Sequence, residues 1–274
     1  MMRRPSLLTL FATLIVLSVV LSGIFAAWLA PYNPFQPDMA HRMELPNALH
    51  WLGTDALGRD MLSRLLFGSR YTILLALLST AVALLLGTLA GLLAGYYGGI
   101  VDASLTAAAN IFQGIPGACF MVAVAGFWGP GLDGLLVALV VTSWAGFSRI
   151  VRLEVLRLRQ MSFVEGLRVL GCSDARILLL HIVPNLFSSL LVLAALRLGR
   201  GILAIAGLSF LGLGVQPPVP DWSVMVSDAM LYYRSVPHLV LIPGACILLL
   251  VASINILASE LRNRLDVRWD EVRR

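Results

Sequence analysis

Uncharged apolar stretches recur along the chain, and any that reaches about 20 residues is long enough to cross a bilayer as a helix. The first runs from about Leu7 to Leu29 behind Arg3 and Arg4. A signal-peptide core is only roughly 7–15 residues long, so this stretch reads as a retained anchor. Further spans are predicted at about Tyr71–Gly95, Ala103–Trp128, Leu132–Phe147, Leu186–Val215 and His238–Ala258. Gly87, Gly91 and Gly95, four residues apart, give the second span a smooth strip on which another helix can pack closely. Gly114 and Pro116 lie inside the third, where the proline should break or kink the helix.

The polar segments between the spans have patterns of their own. Pro31 to Pro37 cannot continue a helix, and it leads into His50-Trp51-Leu52-Gly53-Thr54-Asp55-Ala56-Leu57-Gly58-Arg59-Asp60. From Leu57, the residues Met61, Leu62, Leu65 and Leu66 recur at helical spacing, with Arg59, Asp60, Ser63 and Arg64 on the other side. This predicts an interfacial helix feeding the second span, with Asp60 and Arg64 spaced for an ion pair. After the fifth span, Gln216 to Pro220 forms a loop, and Asp221 is placed to cap a short helix. Trp222, Met225, Val226, Ala229, Met230 and Tyr233 share one face of it, a pattern suited to the outer interface.

The one sizeable polar island in the C-terminal two-thirds lies between the fourth and fifth spans. Ser162 and Glu165 have capping-box spacing, and Gly171 supplies a left-handed stop, which makes one short helix. Ser173 and Asp174 offer a second N-terminus, and Pro184 interrupts the run that follows.

Composition places all of this in a membrane: 59% hydrophobic residues, 13% charged and a mean hydropathy of +0.88. Six spans put both termini on one side, and the arginines say which. Arg3 and Arg4, then Arg149, Arg152, Arg157, Arg159, Arg168 and Arg176, then Arg262, Arg264, Arg268, Arg273 and Arg274 all fall on the terminal side. Arg42, Arg59, Arg64, Arg70 and Arg234 fall on the other, so the positive-inside rule makes the terminal side cytoplasmic. All twenty basic residues are arginine, so no Walker A lysine exists, and any ATP that drives this protein is bound by another chain. Cys119, Cys172 and Cys246 have no metal-ligand spacing and read as packing residues. There is no Gly-x-Ser-x-Gly elbow and no His-Glu-x-x-His, and the four histidines are scattered, with His181 in a loop beside the short helix. An enzyme is therefore not expected, and nothing points to nucleic acid.

With these features in hand, the central island resembles the EAA motif of ABC-importer permeases: Glu165, two residues (Gly166 and Leu167), Gly171 six after the Glu, and Pro184 near the end of the loop. Leu52-Gly53-Thr54-Asp55 with Gly58-Arg59-Asp60, and Gly207-Leu208-Ser209-Phe210-Leu211-Gly212-Leu213-Gly214, are similar to stretches of the dipeptide, oligopeptide and nickel branch. The resemblance implies an all-α, six-span permease of the type I importer fold in a bacterial inner membrane. It implies a homologous second permease subunit, two ATPase subunits carrying ATP and Mg, no cofactor in this chain, and an extracytoplasmic receptor that delivers a peptide or a nickel or other metal chelate. It also implies that Ser162, Phe163, Glu165, Gly166, Leu167, Gly171, Asp174, Ala175, Arg176, His181 and Pro184 form the coupling element held by an ATPase.

The chain departs from the family pattern in two places. Gly166 and Leu167 stand where two alanines are usual, and Ile205 stands where many peptide permeases have a glutamate. With that acid absent, Arg197 and Arg200 make the fifth span locally cationic. Ionisable groups at membrane depth are functional candidates, here for a path that favours exposed carboxylates. A secondary transporter or channel not coupled to an ATPase is the alternative. The division expected is an N-terminal anchor, outer loop and interfacial helix over 1–70, then a core over 71–274 with a coupling loop at about 149–185 and a tail at 260–274.

Overall fold

The computed structural model describes residues 6–272, with side chains through 265; Arg3, Arg4 and the side chains of Arg268, Arg273 and Arg274 lie outside the described residues. Ser6 caps α1 (Leu7–Ile24) through the amide of Thr9, and after a bend at Phe25 comes the single turn α2 (Ala26–Leu29). The chain then folds through residues 30–60 into α3 (Met61–Tyr97), a helix about 55 Å long at 1.5 Å per residue. The sequence pattern predicts an interfacial helix and a separate span here; the structure has one rod, and a division at residue 70 falls inside it. The polar residues at its start do not face solvent. Gly53 and Gly58, both with positive φ, turn Asp55 back beneath the helix start, where it accepts from Arg59 Nε at 2.7 Å and lies 3.4 Å from Arg64, whose side chain is 2% exposed. The expected Asp60–Arg64 pair is absent because Asp60 is committed elsewhere, capping Ser63 at 2.8 Å and meeting His50 at 3.0 Å.

The glycine strip does what its spacing predicts. A Cβ at Gly87, Gly91 or Gly95 would lie 2.4 Å from Phe147 Cβ, 2.6 Å from the Ser148 carbonyl oxygen and 2.8 Å from the Arg152 carbonyl oxygen respectively. All three partners belong to α6 (Leu132–Arg159), so the two backbones are nearly in contact. Between them run α4 (Gly99–Gly114) and α5 (Gly117–Trp128), bent by 92° at Pro116. Asp102 pairs with Arg152 near one end of α6, while Gly129 abuts Gly134 at the other, so the bent pair traverses the bundle as one broken crossing. Among the described residues five helices are long and apolar enough to cross a membrane, and the bent pair counted as one crossing makes six.

Helix α6 is longer than the span expected there, and it carries Arg149, Arg152, Arg157 and Arg159 on its extension rather than in a loop. The short α7 (Ser162–Val169) and the single turn α8 (Asp174–Ile177) follow, and a π-turn over Leu178–Ile182 feeds α9 (Val183–Phe210). The predicted coupling loop is thus mostly helical. Pro184 does not interrupt it: in the π-turn Val183 N–H donates to the Leu178 carbonyl, a wider register that spares the proline ring the clash it meets inside an α-helix. Asn185 Nδ2 donates to the His181 carbonyl at 2.6 Å, so His181 sits in a helical turn rather than a loop.

Asp221 caps α10 (Trp222–Ala229) as its sequence position predicts, but the helix does not lie at an interface. Trp222 is 2% exposed: its indole donates to the Leu65 carbonyl at 2.9 Å, and Gly68 leaves it room, since a Cβ there would be 2.8 Å from the ring. Asp221 also accepts from Thr72 at 2.7 Å. Burial pushes its carboxyl above the usual range, against the Thr72 hydroxyl and the amides of Ser223 and Val224. Paired polar groups on α3 let this segment sink into the bundle, which periodicity alone cannot reveal. The last helix, α11 (His238–Val272), packs on α9 and α1.

Two buried clusters result. The larger joins α3, α6, α9, α10 and α11 around Met61, Leu135, Ile202, Ile205, Trp222 and Leu250. The smaller lies at the arginine-rich end, where Tyr96, Val151, Val155, Leu158, Val164, Ile177, Ile182 and Leu186 gather. That division places a separate small core beneath the short helix.

Candidate functional site

At the arginine-rich end, α7 stands on the small core by the fully buried Val164, with the half-buried Leu167 packed beside it. Val164 is 0% exposed, whereas Ser162, Phe163, Glu165, Gly166 and Arg168 face outward. The helix starts one residue earlier than the capping box predicts. Met161 is the cap, its carbonyl accepts from the amides of Val164 and Glu165, and Ser162 falls inside the first turn, where its hydroxyl caps nothing. The stop behaves as predicted: Gly171 has φ +76°, Cys172 N–H donates to the Leu167 carbonyl at 3.0 Å and Gly171 N–H to the Arg168 carbonyl at 2.9 Å. This is the Schellman closure, which only a residue tolerant of the left-handed region completes without strain. It turns the chain sharply and leaves Val169 (83% exposed) and Leu170 (80%) at the tip.

The sequence-predicted residues Ser162, Phe163, Glu165, Gly166, Leu167, Gly171, Asp174, Ala175, Arg176, His181 and Pro184 thus follow one another along a continuous stretch: α7, its turn, α8, the π-turn and the first turn of α9. One anchor lies outside the motif. Tyr96, the penultimate residue of α3, donates from its hydroxyl to Asp174 at 2.5 Å, and the guanidinium carbons of Arg168 and Arg159 lie 5.6 and 5.9 Å from its ring centroid. No local sequence signal marks that role, because it depends on Asp174, 78 residues further on.

Arg197 and Arg200 lie apart from this element, about 20 Å or more along α9 from Pro184. Both line a cavity of about 480 Å³ with Ser79, Thr80, Thr142, Ser143 and Phe147. Arg197 stacks on Phe147, 5.2 Å from guanidinium carbon to ring centroid, and a Cβ at Gly146 would be 2.3 Å from its Nη2. Ile205, where the family pattern often has an acid, is fully buried in the larger core. A second cavity of about 390 Å³ lies at the opposite end, lined by Asp55, Arg59, Arg64 and Asp228. Burial raises the Asp228 carboxyl, against the charges of Arg64 and Arg59.

Residues 87–270 match the family model of the binding-protein-dependent transport system inner membrane component. Among curated proteins, the glutathione transport system permease protein GsiD of Pectobacterium atrosepticum is 38% identical over 258 residues, covering 93% of this chain and 85% of that protein. GsiD of Escherichia coli is 37% identical over 266 residues, covering 96% and 87%. Among solved structures, an inward-facing form of the MetNI methionine ABC transporter aligns with a TM-score of 0.59 at 19% identity, over 74% of this chain and 97% of that one. An amino acid ABC transporter aligns with a TM-score of 0.54 at 17% identity, over 71% and 90%.

Proposed function

Since the chain belongs to the family of inner membrane components of binding-protein-dependent transport systems, and is the permease of an ABC importer with the type I fold, we propose that it carries a peptide-like solute inward with α7 as its coupling helix. Membership of that family replaces the alternative of an uncoupled secondary transporter or channel, and makes the chain a transport subunit rather than an enzyme. In this reading it pairs with a homologous permease, two separate ATPase subunits bind ATP and Mg, and an extracytoplasmic receptor hands over the solute. Both termini lie in the cytoplasm, with the arginine-rich end, by the positive-inside bias.

The observation that carries the coupling role is the mechanical isolation of α7. It protrudes with an apolar tip at Val169 and Leu170, yet is tied by Val164 and Tyr96 to a core shared with the ends of α3, α6 and α9. Force applied at the tip therefore passes into three crossings at once. ATP shifts the permease pair only if the ATPases bind it with different affinity in the inward- and outward-facing states, and a rigid lever is what links those states. The solute class rests on the two GsiD relatives, whose names specify glutathione transport.

The test is uptake by proteoliposomes that hold the permease pair and both ATPase subunits. Glutathione accumulation is expected only with receptor and hydrolysable ATP together. Accumulation that proceeds undiminished without nucleotide would overturn the coupled mechanism, and uptake of a nickel chelate in place of the tripeptide would overturn the solute class.

A further inference from the structure

We propose that Arg197, with Arg200 beside it, is a carboxylate-recognition site inside the permease, so that the membrane subunit itself selects solutes with an anionic end group. The proposal rests on the importer reading above and names what the path recognises. Arg197 lies midway along α9, in a segment apolar enough to cross the membrane, where an uncompensated charge is strongly disfavoured. Among the described residues it nevertheless has no acidic partner: no carboxylate lines its cavity, and the charge-stabilising contact it makes is with the face of Phe147. A ring face attracts the cation but takes none of the five N–H donors, so the fork stays free for an acceptor.

The surroundings leave that fork accessible. Gly146, lacking a side chain, lets Nη2 pack close against α6, and the half-buried guanidinium borders a cavity of about 480 Å³, within the roughly 300–1,000 Å³ of small-molecule sites. Its walls combine apolar groups such as Met121, Val122 and Leu139 with the hydroxyls of Ser79, Thr80, Thr142 and Ser143. Arg200, one turn on and exposed, adds a second positive charge to the same wall. Two like charges repel, and an anion between them relieves the repulsion. A planar guanidinium presents parallel N–H bonds to a carboxylate, which a lysine's point charge does not reproduce. A bare divalent cation is repelled by the same wall.

The experiment uses the complete importer in proteoliposomes, with glutathione and its glycine-amide derivative as the two probes, each at saturating receptor. Arg197→Gln is expected to cut glutathione uptake about tenfold or more, the loss of one charge-assisted hydrogen-bonded pair, while amide uptake changes less than about twofold. Arg197→Lys, which keeps the charge and loses the fork, lowers the acid-to-amide ratio by a smaller factor and reads the same quantity if Arg197→Gln fails to assemble. The receptor is identical throughout, so a change of ratio belongs to the permease. A ratio equal to that of the unmodified protein in both variants overturns the proposal even if total uptake falls. Unmodified importer that takes up neither probe on ATP contradicts the importer reading itself and removes the proposal with it.

Discussion

Gly91→Leu is expected to leave no folded permease. The Cβ alone would lie 2.6 Å from the Ser148 carbonyl oxygen and 2.7 Å from Val151 Cβ, so α3 and α6 must separate along their most extensive contact. Helices in lipid gain nothing from excluding water between them; close van der Waals packing is what holds this seam, and separation forfeits it. Gly91→Ala, the milder change, should cost about 1–3 kcal/mol by overpacking. Gly166→Ala is the control, because nothing lies within 4 Å of the added carbon and a mid-helix alanine gains up to about 1 kcal/mol over glycine. Thermal unfolding in detergent and the yield of monodisperse protein read all three. Opposite signs at positions 91 and 166 are the expected pattern, and equal effects would mean that the strip is not the packing seam.

Val164→Asp is expected to abolish uptake while leaving the membrane bundle folded. Val164 is the one fully buried residue of α7, and the other members of the small core are apolar except Tyr96, whose hydroxyl is already committed to Asp174. An unpaired buried charge costs several kcal/mol, more than one short helix gains by docking, so α7 leaves its seat rather than bury the charge. The larger core shares no residue with this one, and the bundle's thermal transition should move by no more than a few degrees. Uptake should fall at least about tenfold, with ATP still hydrolysed. Retained uptake would show that the seat of α7 does not transmit force.

What the sequence made legible was local or periodic. Three glycines at four-residue spacing specify a seam because only a helix brings them to one face, and Pro116 specifies a break because it lacks an N–H. Gly171 specifies a stop because the turn needs a positive φ. What failed depended on distant partners. Arg59 and Arg64 have the pattern of a wet face, and Asp55, carried under them by two glycine turns, together with Asp228 across the cavity, makes their burial tolerable. Trp222 has the pattern of an interfacial aromatic, and only Gly68 and the Leu65 carbonyl make a seat for it. Pro184 has the pattern of a break, and a π-turn upstream absorbs it. Of the proposed coupling element, the motif residues are marked in the sequence and their anchors, Val164 and Tyr96, are not, because both are apolar or aromatic positions whose role is set by tertiary packing.

Whether α7 is a cytosolic knob gripped by an ATPase is tested most directly by site-specific cross-linking. With Cys119, Cys172 and Cys246 replaced by alanine, Val169→Cys puts a thiol at the exposed tip, and Leu45→Cys puts one on the outer segment, where the side chain is 64% exposed. The expected result is that Val169→Cys cross-links to an ATPase subunit, with a yield that changes on adding ATP, and resists a membrane-impermeant maleimide in intact cells, while Leu45→Cys does the reverse. Labelling of Val169→Cys from outside the membrane, or intact ATP-driven uptake with no cross-link to an ATPase subunit, would contradict it.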